Sequence, residues 1–471
     1  MTSRDGYQWT EKSGLVQGVP SIGVIHPPSN IGQKQEQYDV IVVGAGYCGL
    51  TAARDAALSG LKVLLLEGRD RIGGRSWSSN IEGYPFEMGG TWVSWGQPHV
   101  WREISRYNMR QELELSRNMS HEEEDKLMQS ALEKFVNVDG NLGKTVMPFP
   151  HDEFHNPEVK QFDKLSVADR MVQIKNQLSP DEYTAVLSFV MLCSASTPEK
   201  TSFYEFLHWW ALCNFSYEYL VKYKFRGGQS SFAIKFFQEA VETGRLSYAF
   251  NSPVASITQN QQRVEVRTRA GDVYHAARLI SAVPLNVLND ITFSPPLAQG
   301  KKTAATTGHV NKCVKVHAEC RGSELRSWTG VNYPNGQLPY ALRDGTTPNG
   351  NPHVVAFGAD HNRLTPDKDI EVTKQALQDL TKMELERVVF HNWADDEFAK
   401  GAWFFSPPGL VTESLDDMRA RQGNIFFASS DWAVGWRSFI DGAIEEGTRA
   451  AFNVIQDLKA RKGSSPIKSV L

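Results

Sequence analysis

The sequence predicts an α/β + α fold of two domains. One is a Rossmann-like dinucleotide-binding domain built around a G-x-G-x-x-G turn, and the other is an interleaved α+β domain. Three observations predict it. A strand–turn–helix–strand unit occupies residues 39–67. Aromatic helical stretches and alternating strands fill the middle of the chain. An apolar strand and a long amphipathic helix return to the first domain near the end.

Asp39-Val-Ile-Val-Val is a short apolar run of the kind buried in a parallel sheet. It leads into Gly44-Ala-Gly46-Tyr-Cys-Gly49, then a helical stretch with Gly60 as its stop, then a second apolar strand ending in Glu67. Gly44 permits the tight turn, and Gly46 lets backbone N–H groups reach a pyrophosphate at the helix N-terminus. Gly49 lets helix and strand pack closely, and Glu67 can accept the ribose hydroxyls of an adenosine. The bland alternative is a glycine-rich turn in an ordinary sheet. It does not explain the acid at the right distance after the turn.

Glu67 disfavours a 2′-phosphate and so argues against NADP. Arg69-Asp-Arg71-Ile-Gly73-Gly74-Arg75-Ser76 follows at once. A plain nicotinamide dehydrogenase has no need for two glycines and three arginines there. A flavoprotein does, because this segment runs back along the dinucleotide, and Arg69, Gly74 and Arg75 complement its charge and shape. The cofactor reading is FAD. No second nicotinamide-type G-x-G-x-x-G occurs.

Further along, residues before about 36 are rich in Gly, Pro and Ser and read as an extended surface arm. Residues 120–137, 166–177 and 179–193 read as helices, the last two opened by serine caps. Residues 202–223 carry Phe203, Phe206, Trp209, Trp210, Phe215, Tyr217 and Tyr219, an apolar wall. Residues 254–258, 263–268 and 273–275 alternate like an antiparallel meander, with a separate short strand over 279–282. Strands follow at 313–319 and 353–358, and a helix at 367–380. Residues 424–431 form a buried strand ending in small polar residues. The closing helix carries Ile444, Gly447, Ala451, Val454, Ile455 and Leu458 on one face, and its start is electropositive. The predicted division is an arm over 1–35, a discontinuous cofactor domain over 36–112, 226–301 and 394–460, a second domain over 113–225 and 302–393, and a tail over 461–471.

The 471 residues suffice for two sizeable cores. A net charge of −4 without a dense basic patch excludes nucleic acid as an expected partner. The five cysteines form no C-x-x-C pair, which excludes a dithiol centre or zinc ribbon, and no metal site is predicted. No secretory core or membrane-length apolar run occurs, so the reading is an intracellular protein. The final Ser469-Val470-Leu471 is a poor relative of a peroxisomal address. A homo-oligomer is left open.

Together these motifs resemble the flavin-containing monoamine oxidase family. Added to the dinucleotide unit are Gly89-Gly90-Thr91-Trp92, Val310-Asn-Lys312-Cys313, Pro407-Pro408-Gly409 and Trp436-Arg-Ser-Phe439-Ile-Asp-Gly-Ala443, in family order. Phe206-Leu-His-Trp-Trp210, Phe390-His-Asn-Trp393 and Ala399-Lys-Gly-Ala-Trp403 resemble its soluble fungal branch. The resemblance implies the two-domain flavin amine oxidase fold. It makes Lys312 the lysine that holds a water near flavin N5, and Trp403 and Phe439 the two aromatic walls before the flavin. It places Trp393 beside the flavin ring and Asp431 where many relatives carry glutamate. Gly90, Thr91, Val254, Ser430 and Ile440 complete the implied cofactor contacts.

Ala402 stands where membrane-bound relatives carry a flavin-linking cysteine, so the FAD is expected to be held non-covalently. The stretch 113–122 is shorter than in relatives. The implied reaction is oxidation of a small hydrophobic amine to an imine, with O2 reduced to hydrogen peroxide. Three alternatives remain: an L-amino-acid oxidase with Arg343 as carboxylate clamp, a polyamine oxidase, and a non-catalytic flavin-binding module.

Overall fold

The computed structural model describes residues 1–32, 37–115, 122–216, 222–322, 325 and 328–463. Tyr217 and Tyr219, and most of the shortened stretch 113–122, lie outside the described residues.

The strand Tyr38–Val43 lies inside an eight-stranded sheet. It pairs in parallel with Val63–Leu66, which pairs in parallel with Leu246–Ala249. Val40, Ile41 and Val42 are fully buried, Val40 and Val42 in the core that holds the helix Tyr47–Leu58 and Ile41 in the other core, which is why this strand reads as a continuous apolar run. On its other side runs Val273–Ser281, a single nine-residue strand rather than the two short ones expected. Its first half pairs antiparallel with Val264–Thr268 in the expected meander, and its second half pairs in parallel with Ile425–Phe427. The chain thus changes partner without breaking the strand, which the local alternation cannot reveal.

A seven-stranded antiparallel sheet forms the second layer, in the order 329–331, 340–346, 352–358, 314–321, 384–392, 2–10 and 14–20. Two of its strands correct the reading of residues 1–35 as a surface arm. Thr2–Thr10 and Gly14–Pro20 form a hairpin, and Thr2–Thr10 adds to Glu384–Asn392 through Tyr7↔Phe390 to Thr10↔Arg387. Tyr7 stacks on Phe390 at 5.1 Å. The Gly content that suggested an arm serves the turns and a bulge within the hairpin.

The helices Glu122–Val136, Val167–Ile174, Pro180–Ser194 and Phe203–Leu212 share one apolar core, and Pro180–Ser194 also packs on Tyr340–Thr346. Ser166 and Ser179 cap theirs through reciprocal capping boxes with Asp169 and Glu182, as the serine positions predict. Ser202 accepts from Glu205 N and opens the aromatic helix. The last helix, Ile440–Gly463, packs on Tyr47–Leu58 and so returns to the dinucleotide unit.

Candidate active site

The turn between Val43 and Tyr47 is held by its own acid. Glu67 accepts the Ala45 amide at 2.6 Å and the Arg69 amide at 2.9 Å. Gly49 sits so close to the strand that a Cβ there would lie 1.8 Å from the Gly44 carbonyl oxygen. Gly46 differs: a Cβ there would meet only the Gly74 Cα, at 3.8 Å. Gly73 N donates to Ala45 O at 2.9 Å, so the arginine segment crosses directly over the turn. The first-turn amides of the helix Tyr47–Leu58 therefore face a cradle of glycine backbone.

A cavity of about 270 Å³ opens there. Gly44, Gly46, Glu67, Arg69, Gly74, Arg75, Gly90, Thr91, Val254, Ser430 and Ile440 all line it, as do Trp403 and Phe439. At its polar part Arg69 and Arg269 lie over the Phe398 ring at 5.3 and 5.6 Å. Arg75 donates to the Ala402 carbonyl at 2.9 Å and pairs with Asp431 at 2.5 Å. At its apolar part the Trp403 indole N–H donates to Cys193 O at 2.6 Å, and Phe439 packs on Trp209 at 4.7 Å and edge-on to Trp436 at 5.0 Å. Leu192 joins Cys193 and Trp209 in this wall, which among the described residues carries no charged side chain. Of the aromatic segment 202–223, Trp209 is the described residue that reaches the cavity.

Four expected residues do not line the cavity. Gly49 acts by close packing, as described. Asp431 lies behind Arg75; its second oxygen accepts Leu285 N at 2.9 Å, so it anchors the arginine. Trp393 also lies one layer back. Its indole N–H donates to Met88 O at 2.7 Å, and its ring stacks on His391 and backs the Gly89–Gly90 turn. Lys312 departs most. Its ammonium donates to Lys400 O at 3.0 Å, away from the cavity.

Lys315, not singled out in the sequence, takes the place behind the cavity wall. Its ammonium donates to Thr91 Oγ1 at 2.6 Å and to Gly89 O at 2.9 Å, and lies 5.3 Å from the Trp92 ring. Burial lowers its pKa to about 8, against the pull of Glu87 and Asp344. The signal was present in Cys313-Val-Lys-Val-His-Ala-Glu. Lys315, His317 and Glu319 alternate with apolar residues, which puts three polar side chains on one face of a buried strand. Lys312, an odd number of residues away, does not share that face.

Arg343, the candidate carboxylate clamp, donates to Thr346 Oγ1 at 2.7 Å and does not line the cavity. Among the described residues no helix is long and apolar enough to cross a membrane.

The glycine cradle, the acid and the arginines fit a dinucleotide, and the apolar wall beside them fits a redox ring with a hydrophobic substrate. Comparison with known proteins agrees. Residues 47–455 match the family model for flavin containing amine oxidoreductases. The chain is 30% identical to a pseudooxynicotine dehydrogenase of a Pseudomonas species, over 98% of this chain and 94% of that one. It is 28% identical to a nicotine dehydrogenase of Pseudomonas putida, over 89% and 88%. A putrescine oxidase triple mutant redesigned in cofactor binding superimposes with a TM-score of 0.75 at 21% identity, over 89% of this chain and 99% of that one. With its family model matched from the first helix of the dinucleotide unit to the last helix, this chain belongs to the flavin-containing amine oxidoreductases.

Proposed function

We propose that the protein oxidises small hydrophobic primary amines at the carbon bearing nitrogen, using non-covalently held FAD. The single observation that carries the substrate class is the uncharged wall of Leu192, Cys193, Trp209, Trp403 and Phe439. Such a wall desolvates an ammonium ion and draws a bound amine toward its neutral, reactive form. A polyamine would want acids along this wall, and an amino acid would want an arginine there. Arg343 is bound elsewhere.

Bound FAD supplies the two-electron acceptor that an amine's C–H bond requires. The residues that would hold it are the Gly44–Gly49 turn, Glu67, Arg69, Arg75, Thr91, Ser430 and Ile440. Lys315, rather than Lys312, is the lysine we assign to the back of the cavity. It places an ammonium against the Gly89–Thr91 turn, in the field of Glu87 and Asp344, where it favours negative charge on the cavity side. Trp403 and Phe439 hold the amine and exclude water. Ala402 offers no sulfur for covalent attachment. The imine product would hydrolyse in water to aldehyde and ammonia, with O2 as the final oxidant in our reading.

The test is anaerobic mixing of the flavin-loaded protein with benzylamine, a straight-chain amine, putrescine and leucine, watching flavin absorbance. Benzylamine or the alkyl amine should bleach it, at a rate rising from mildly acidic to alkaline pH. Bleaching by leucine or putrescine alone refutes the substrate class. Readmission of air against addition of an artificial acceptor then asks whether oxygen serves, a question sharpened by the two relatives named dehydrogenases. Flavin that stays with an acid-precipitated pellet refutes non-covalent binding.

A further inference from the structure

The hairpin Thr2–Pro20 belongs to the second sheet, yet one of its side chains sits among the dinucleotide arginines. Its ladder shifts register between Ser3 and Tyr7, and Gly6 in that gap has φ +76°. Such a bulge re-aims the side chain beside it. Here it turns Asp5 out of the sheet. One Asp5 oxygen accepts from Arg69 Nη1 and from Arg71 Nε, both at 2.8 Å.

Those two arginines shape the cradle. Arg69 lines the cavity. Arg71 is fully buried, lies over the Trp77 ring, and donates to the Gly74 carbonyl at 2.9 Å. Asp5 is its carboxylate partner. The line of contact therefore runs from Asp5 through Arg71 to Gly74, whose Cα faces Gly46. The flanking residues add bonds in the same direction. Ser3 donates to Asp70 at 2.8 Å, Arg4 N donates to the other Asp70 oxygen at 2.8 Å, and Ile72 N donates to Gly23 O at 3.0 Å. The hairpin is thus fixed at one side to Glu384–Asn392 and at the other to residues 69–71.

We propose that this hairpin is a clasp for the cofactor: Asp5, turned out at the bulge, orients Arg69 and Arg71 and so sets how slowly the flavin dinucleotide leaves. The inference rests on the dinucleotide occupying the glycine cradle. A competing reading treats Asp5 as a mere counter-charge that repels the diphosphate, and it predicts the opposite sign.

The experiment measures flavin release, followed by the rise of free-flavin fluorescence, for the full-length loaded protein and two variants. Asp5→Asn weakens the grip at nearly constant shape. Gly6→Ala leaves every charge in place but strains the left-handed position and crowds Val19, 3.0 Å from the new Cβ, and Met88 at 3.2 Å. Each variant should release flavin about tenfold faster than the parent, as the loss of one charge-assisted contact implies. Release that is slower or unchanged in Asp5→Asn overturns the clasp. Coupling is reciprocal, so flavin must also steady the hairpin. Hydrogen exchange over residues 2–10 should slow on loading the parent, and much less on loading Asp5→Asn. Equal slowing in both, or none in the parent, overturns the proposal as well. A parent protein that takes up no flavin refutes the cofactor assignment instead, so the two failures are told apart.

Discussion

Lys315 donates to the Thr91 hydroxyl at 2.6 Å, and that bond joins the seven-stranded sheet to the turn lining the cavity. Lys312, three residues earlier, donates to Lys400 O and faces elsewhere. The two lysines therefore give a paired prediction. Lys315→Met should slow flavin-dependent turnover by about a hundredfold, the scale of losing one preorganised charge. Lys312→Met should stay within a fewfold of the parent. Stopped-flow rates of flavin bleaching and recovery check both, and equal losses would reverse the assignment.

Gly46 and Gly49 separate room for a ligand from room for the fold. A Cβ at Gly49 collides with the Gly44 backbone, so Gly49→Ala should destabilise the protein by about 3 kcal/mol or more, with or without flavin. A Cβ at Gly46 meets none of the protein's atoms closer than 3.8 Å. Gly46→Ala should therefore melt like the parent when flavin-free and lose the rise in melting temperature that flavin confers. Thermal melts of both forms decide it.

The Asp5 carboxyl gives a signed pH dependence. Burial pushes its pKa up, but Arg71 and Arg69 outweigh that and hold it down to about 2, from 3.8. A depressed acid contributes stability above its unfolded pKa and loses it as pH falls through the folded one. The contribution, about 2 kcal/mol, should be complete above roughly pH 4 and vanish toward pH 2. Denaturant unfolding should thus find Asp5→Asn weaker than the parent at neutral pH, with the gap closing on acidification. A gap that widens in acid contradicts the sign.

Trp403 forms part of the apolar wall and is fixed by its bond to Cys193 O. Trp403→Ala should raise KM for an arylalkyl amine by about tenfold or more, the cost of uncovering one large ring, while flavin content stays near that of the parent. Steady-state kinetics with flavin quantified in the same sample test it. Loss of flavin alongside would show that the ring supports the cofactor instead.

The cofactor half of the site was legible because its parts are contiguous. Gly44, Gly46, Gly49 and Glu67 act through one strand, one turn and one helix, and backbone geometry fixes their spacing. The serine-capped helices were legible for the same reason, since Ser166 and Ser179 bond within three residues of themselves. The two lysines part because the resemblance matches Asn-Lys-Cys at Lys312, whereas the alternation along the buried strand turns Lys315 toward the Gly89–Thr91 turn. Trp393 and Asp431 were placed in the right neighbourhood but one layer too far forward. A motif locates a segment, whereas side-chain direction follows from what packs against it.

The sequence by itself determined the dinucleotide unit, the flavin class and the apolar character of the site, since each follows from residue types at fixed short spacings. Only the tertiary structure decided which lysine backs the cavity and that residues 2–20 are built into a sheet. Asp5 meets Arg69 and Arg71 across separations of 64 and 66 positions. No local periodicity encodes such a meeting; it exists because a bulged strand, pinned to one sheet, reaches the segment that follows Val63–Leu66 of the other.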